Sequence, residues 1–203
     1  MLVGMGWLAY RHYTSGRSHV RVLAAVGVVF LVTGVFEYQW RQTDARYAHV
    51  AEALLHNKHP VAVHCERLGS ALMSVSQLEG YVPYEEDGSL PKKAQLMRDV
   101  CQDLGNWVRS DKKHTSMKEI TALHVFVHET MHLDGIYNEA QAECESMQRT
   151  EEAAELFGAP AGTGQRMAKA YAQAIYPNMP DNYRGGCAQD GAGDDTPGDG
   201  IWP

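Results

Sequence analysis

Between residues 43 and 176 the apolar positions recur at a spacing near 3.6, the period of a helix with one buried face, and no stretch alternates well enough to read as a strand. The pattern predicts helices over 43–57, 61–76, 91–108, 117–134, 139–157 and 164–176. Several ends are marked. Ser116-x-x-Glu119 reads as a capping box, as does Asn138-x-x-Gln141, while Gly135 and Gly158 suit helix stops and Pro91 suits a first helical turn. Residues 80–90 read as a loop punctuated by Pro83 and Gly88. Beyond Pro177 the chain is rich in Gly, Asp and Pro, so little regular structure is expected, although Cys187 and Trp202 could pin it down.

Upstream the pattern changes. Val22 to Phe36 is uncharged and almost wholly apolar, with Tyr38 and Trp40 just after it. Fifteen helical residues cover about 22 Å against a hydrocarbon core of about 30 Å, and extension through Tyr38 and Trp40 with snorkelling by Arg21 closes most of the gap. No small-x-small cleavage site follows closely, which favours an uncleaved signal-anchor over a removed signal peptide or a core helix. Arg11, Arg17 and Arg21 precede the span, so the positive-inside rule places the N-terminus in the cytoplasm and the body outside the cell membrane. The expectation is an all-α protein: an N-terminal segment and transmembrane anchor over 1–40, one helical domain over 41–180, and a tail over 181–203.

Charge removes one class of function. The chain carries 25 acidic against 18 basic residues, and the anchor region is itself net positive, so the body is more acidic than the overall −7. No basic face follows a phosphate backbone, and nucleic acid is not an expected partner. Four cysteines in an extracytoplasmic body suggest two disulfides. Cys65 falls on the predicted face Val61, Cys65, Leu68, Leu72, Val75, and Cys101 on the face Met97, Val100, Cys101, Leu104, Val108. The favoured pairing is Cys65–Cys101 with Cys144–Cys187. A cysteine zinc site is disfavoured because there is no C-x-x-C.

The chemistry lies in His128-Glu129-Thr130-Met131-His132, an H-E-x-x-H segment. On a helix, positions i and i+4 share a face, so both imidazoles can bind one zinc ion while Glu129 serves as base for a water. The surrounding helix carries Ile120, Ala122, Leu123, Val125, Phe126, Val127, Met131 and Leu133 and is apolar nearly all round. Two histidines and a glutamate inside such a helix need partners, and a metal supplies them better than chance core hydrogen bonds.

A depth count selects a third ligand. Zinc between the levels of His128 and His132 lies about five residues, or 7 Å, below the turn at Gly135. The same depth on the next helix reaches Glu143, within the stripe Ala140, Cys144, Met147, Ala154, Phe157. Glu139 is the alternative, as ligand or as a support for His132. His124, one turn before His128, could touch the site. Tyr183 and Arg184 could stabilise an oxyanion if the tail folds over the metal. His49, His56, His59, His64 and His114 lack ligand spacing and read as solvated, and Glu151, Glu152 and Glu155 as an exposed face.

The segment resembles the H-E-x-x-H zinc peptidases, the zincins. Their gluzincin branch takes its third ligand from a glutamate on a following helix, commonly with an acidic residue four positions on, and Glu139 to Glu143 resembles that arrangement. This comparison implies Glu139 on the metal and Glu143 supporting a histidine. His132-x-x-Gly135 is similar to the glycine turn of the metzincins, but their third histidine falls here at Asn138. The whole pattern also resembles small uncharacterised bacterial membrane-anchored H-E-x-x-H proteins. The resemblance implies a zinc-dependent peptidase acting on a peptide or protein substrate. The alternatives are a structural zinc site without turnover and a metal-free, disulfide-stapled interaction domain.

Overall fold

A computed structural model of the chain describes residues 6–8, 10–11, 19–67, 79–83, 87–191, 193–195 and 202–203. It divides into two compact units, residues 1–42 and 43–203. Among the described residues the chain is mainly helical, as the periodicity predicts.

The first long element, α1 (His19–Leu54), has 36 residues, about 54 Å of helix. In the first unit Leu23, Val28, Phe30, Leu31, Val35, Phe36 and Tyr38 are all exposed, and the helix is long and apolar enough to cross a membrane. From residue 43 onwards the same helix becomes amphipathic. Tyr47, Val50, Ala51 and Leu54 are buried in the second unit, where Tyr47 meets Phe126 and Phe157 at ring separations of 5.8 Å.

After α1 the chain departs from the expected helices. Residues 62–65 form β1 (Ala62–Cys65), followed by β2 (Gly80–Tyr81) and β3 (Lys93–Leu96), in the sheet order β1-β3-β2. β1 pairs parallel to β3 with Cys65 opposite Leu96, and β2 pairs antiparallel with Gly80 opposite Leu96. The predicted helix 61–76 is therefore corrected where it is described. Its residues 68–76, including Leu68, Leu72 and Val75, lie outside the described residues, as do 84–86 of the expected loop and 192 and 196–201 of the tail. The predicted helix 91–108 also changes: Pro91 precedes a strand, and helix α2 (Arg98–Arg109) begins only after it. The cause is local ambiguity. Val61 and Cys65 are four apart, as on a helix, but Val63 is buried with them while Ala62 and His64 are partly exposed, which is the period of a strand.

Three further helices follow: α3 (Met117–Leu133), α4 (Glu139–Leu156) and α5 (Thr163–Ala174). Ser116 and Glu119 form the expected reciprocal capping box, worth about 1 kcal/mol, whereas at the next helix only half of the expected box forms: Asn138 Oδ1 accepts from Gln141 N without a return bond from the Gln141 side chain. Gly135 and Gly158 adopt left-handed φ of 93° and 85°, ending α3 and α4 as only glycine does readily. Glu151 was expected on a solvated face. Instead its carboxylate takes the backbone N–H groups of Gly162 and Gln165 and so caps α5. Gly164 meets α4 so closely that a Cβ there would stand 2.4 Å from Glu151 Cα.

Both disulfides form as paired in the sequence reading, Cys65–Cys101 joining β1 to α2 and Cys144–Cys187 joining α4 to the tail. Further contacts hold the described tail on α4. Gln148 donates to the Gly193 carbonyl at 2.7 Å and accepts from Asp195 N at 2.7 Å.

Candidate metal centre

α3 is buried on nearly every side, and His124, His128, Glu129 and His132 are all under 8% exposed. A histidine inside a protein must find partners for two ring nitrogens, and these partners reveal its orientation. His132 Nδ1 lies 2.7 Å from the carbonyl of Ile136, in the turn after Gly135. A carbonyl only accepts, so Nδ1 carries a proton, and in the neutral ring Nε2 presents its lone pair on the other side. Nε2 lies 3.4 Å from Glu139 Oε2. His128 Nε2 is 3.1 Å from that same oxygen, while its Nδ1 edge lies 3.1 Å from Glu143 Oε2, in ion-pair range but off the line of a good hydrogen bond.

The two carboxylates from α4 thus meet opposite edges of the His128 ring. Glu139, at the first position of α4 and partly exposed, meets the Nε2 edges of both histidines. Glu143, only 1% exposed, sits at the Nδ1 edge and also contacts His124 Nε2 at 3.0 Å. Tyr171 of α5 donates to its other oxygen at 2.8 Å. Two groups with ligand-like proximity result, His128–His132–Glu139 and His124–His128–Glu143, sharing His128.

Electrostatics differ between the two. Burial alone would push the His128 imidazole down, but contacts with Glu139 and Glu143 outweigh it and raise it to about 9. Burial and the neighbouring His128 charge lower His132. The His128 contact lowers Glu139. Burial opposes ionisation of Glu143, yet His124 and His128 hold it well below the usual carboxylate range.

Glu129 is separate from both groups. It is 6% exposed, and its Oε2 has no hydrogen-bond partner among the described residues. Burial raises its carboxyl to about 7. Gly80 of the edge strand β2 packs directly over it, and a Cβ there would lie 2.7 Å from Glu129 Oε1. This approach of the sheet to the motif has no signature in the sequence.

The remaining candidates divide. His124 joins the cluster through Glu143 and stacks on Tyr171 with centroids 3.6 Å apart. Tyr183, in the 3-10 turn Asp181–Tyr183, has its ring 5.8 Å from that of His128, so the tail does reach the site. Burial, then the charges of Glu139, Glu129 and Glu143, raises its phenol. Arg184 turns away to Asp181 and the Pro177 carbonyl. Among the histidines expected in solvent, His49, His56 and His114 are exposed, and His59 and His64 are half-buried. His56 also contacts Asp134 at 2.6 Å, His64 lies 3.2 Å from Asp44, and His59 meets the carbonyls of Asn57 and Pro91. Tyr171 was missed, although a tyrosine in the buried face Met167, Ala168, Tyr171 needs a hydroxyl partner and so signals one.

The donor set could hold a metal ion. Two imidazole Nε2 atoms and one carboxylate oxygen converge, all buried or half-buried, and in the neutral form of His132 its Nε2 lone pair faces that oxygen. A cation bound between them would engage all three atoms at once. A tetrahedral ion with bonds near 2.1 Å sets its ligands about 3.4 Å apart, and the nitrogen–oxygen separations here are 3.1 and 3.4 Å. Comparisons with protein-family models, with curated proteins and with solved structures give no match.

Proposed function

We propose that this chain is a zinc-dependent hydrolase whose metal is held by His128, His132 and Glu139, and whose substrates are peptides. One observation carries the reading: both histidines turn Nε2 to the same Glu139 oxygen, His132 hydrogen-bonds the Ile136 carbonyl through Nδ1, and Glu143 Oε2 stands 3.1 Å from Nδ1 of His128, within ion-pair range. Metal-bound histidines are oriented in this way, by an acceptor on the nitrogen that does not bind. The depth count made Glu143 the third ligand. The edge of the ring that each carboxylate meets supports Glu139 instead, with Glu143 as the group that orients His128.

Zinc, when bound, supplies a Lewis acid that makes a water acidic and polarises a carbonyl. Glu129 supplies the base. With its carboxyl near 7 and Oε2 unpartnered, it can accept a proton from water and return it to the leaving nitrogen. Tyr183 keeps its phenolic proton and stands beside His128, where it can donate to an oxygen that gains charge. The choice of a peptide bond rests on the zincin resemblance, an argument by analogy.

In the same reading the part of α1 up to residue 40 is the membrane anchor, with the N-terminus cytoplasmic and the disulfide-bearing unit outside the cell membrane. Support comes from the exposed apolar stretch, the arginines before it and the two formed disulfides.

The test is elemental analysis and peptide-library hydrolysis on the full chain in detergent. Stoichiometric zinc is expected in the unmodified chain and in Glu129→Gln, with turnover in the first and a loss of at least about 100-fold in the second. His128→Ala, His132→Ala and Glu139→Ala should lose the metal. Full zinc binding by Glu139→Ala, with loss in Glu143→Ala, would return the assignment to Glu143.

A further inference from the structure

Glu143 is the most enclosed charged group of the site, and three helices meet at it. α3 supplies His124 and His128, α4 supplies Glu143 itself with Ser146, and α5 supplies Tyr171. Its Oε2 is shared between His124 Nε2 at 3.0 Å and His128 Nδ1 at 3.1 Å, and its Oε1 receives the Tyr171 hydroxyl at 2.8 Å. Ser146 donates to the Glu143 carbonyl at 2.8 Å and lies 3.3 Å from His124 Nε2. His124, Ser146 and Tyr171 are each no more than 3% exposed.

Such a network is a poor way to gain stability. Apolar residues of the same volume fill a helix junction as well or better, because they avoid stripping water from a charge. The network does restrict orientation. The terminal torsion of a glutamate is soft, so a carboxylate held at one oxygen can swing. Here Tyr171 fixes one oxygen and His124 the other, and the Tyr171 ring, stacked 17° from parallel on His124, holds that imidazole in turn. The carboxylate plane is thereby set, and with it the side from which His128 Nδ1 is met. His124 Nδ1 has no partner among the described residues, so this histidine has its one polar engagement on the Glu143 and Ser146 side.

We infer that Tyr171 and His124 are positioning residues of the metal centre, acting through Glu143 to hold His128 with Nε2 directed at the metal. The inference rests on the zinc reading above and goes one layer beyond the ligands and their immediate support.

A double-mutant cycle on zinc affinity tests it, using the full chain in detergent and competition with a chromophoric chelator. Outer-layer partners of metal histidines typically change affinity by 10–100-fold. Tyr171→Phe, which keeps the ring and its stacking, should weaken zinc binding about tenfold, and His124→Leu by a similar factor. His124→Gln retains an N–H donor and should recover affinity to within about threefold of the unmodified chain. Glu143→Ala should lose about 100-fold, and adding Tyr171→Phe to it should change nothing further. Additivity separates this role from a merely structural one. An equal tenfold loss from Tyr171→Phe in both backgrounds overturns the inference. So does unchanged affinity in Tyr171→Phe with only a lower melting temperature of the metal-free chain. A chain that binds no zinc when unmodified instead overturns the metal reading, and this inference with it.

Discussion

Glu129 offers a measurement that requires no substrate. Its carboxyl lies in a buried position that raises it from an ordinary 4.5 to about 7, chiefly through loss of hydration, with His128 pulling down and Glu139 pushing up. The unfolded chain therefore releases this proton near pH 4.5, while the folded, metal-free chain keeps it until about pH 7. Below pH 4.5 both states are protonated and the group has no effect. Between 4.5 and 7 only the unfolded state ionises, so stability falls with rising pH; above 7 the loss levels off at about 3 kcal/mol. The near-complete burial of the group means solvent screening reduces this little. Glu129→Gln has the same shape and cannot ionise. The stability difference between it and the unmodified chain should thus be constant below pH 4.5 and grow by about 3 kcal/mol in favour of Gln by pH 8. For a unit of this size that is about 6–12 °C in melting temperature. The assay is thermal unfolding of both chains after chelator treatment, from pH 4 to 8. A difference that stays flat with pH, or that turns in favour of Glu129 at pH 8, would refute the claim that this base is held under strain in a dehydrated position. A stabilising loss of the base would also mark Glu129 as a residue kept for chemistry at the expense of the fold.

Other outcomes follow from packing and covalent geometry. Gly164→Ala should destabilise the second unit by about 1–3 kcal/mol or more in urea unfolding, because its Cβ has only the α4 backbone to displace. Gly80→Ala meets a side chain instead, so folding should survive, with zinc content unchanged and hydrolysis falling by up to about 100-fold as Glu129 shifts; unchanged turnover would show that the carboxylate need not stay where it is. Cys187→Ser opens a loop with a sequence separation of 43 and should cost roughly 4 kcal/mol in the chain-entropy treatment, read as a lower urea midpoint. Reporter fusions at residue 1 and after residue 180 should report opposite sides of the membrane, and a cytoplasmic signal from the second would defeat the extracytoplasmic reading.

Much of the fold is legible because the relevant signals are local. The boundaries of α3 and α4 are set by Ser116 with Glu119, Asn138, Gly135 and Gly158, and each acts within a few residues of itself. Both cysteine pairs form as the sequence favoured them, although the helical face that suggested Cys65 as the partner of Cys101 is a strand. The small sheet was not. Four-residue strands around Val63 and Ala94 carry too few positions to separate a period of 2 from one of 3.6, and their pairing partners lie some thirty residues away.

The candidate site divides along the same line. Sequence alone determined which residues share a helix face: His128 and His132 four apart, His124 one turn before, and Glu139 with Glu143 on the next helix, with Glu129 turned aside between the two motif histidines. It also determined that the polar groups of the first helix had to be buried, because that helix is apolar nearly all round. Depth along a helix axis, however, says nothing about which edge of an imidazole a carboxylate will meet. Only tertiary structure decided that Glu139 faces both Nε2 atoms, that Glu143 sits behind His128 with Tyr171 and His124, and that Gly80 leaves room for Glu129. The reason is physical. A spacing rule describes rotation about one axis, whereas the meeting of four elements at a single buried cluster depends on how their axes are placed by the packing of everything else.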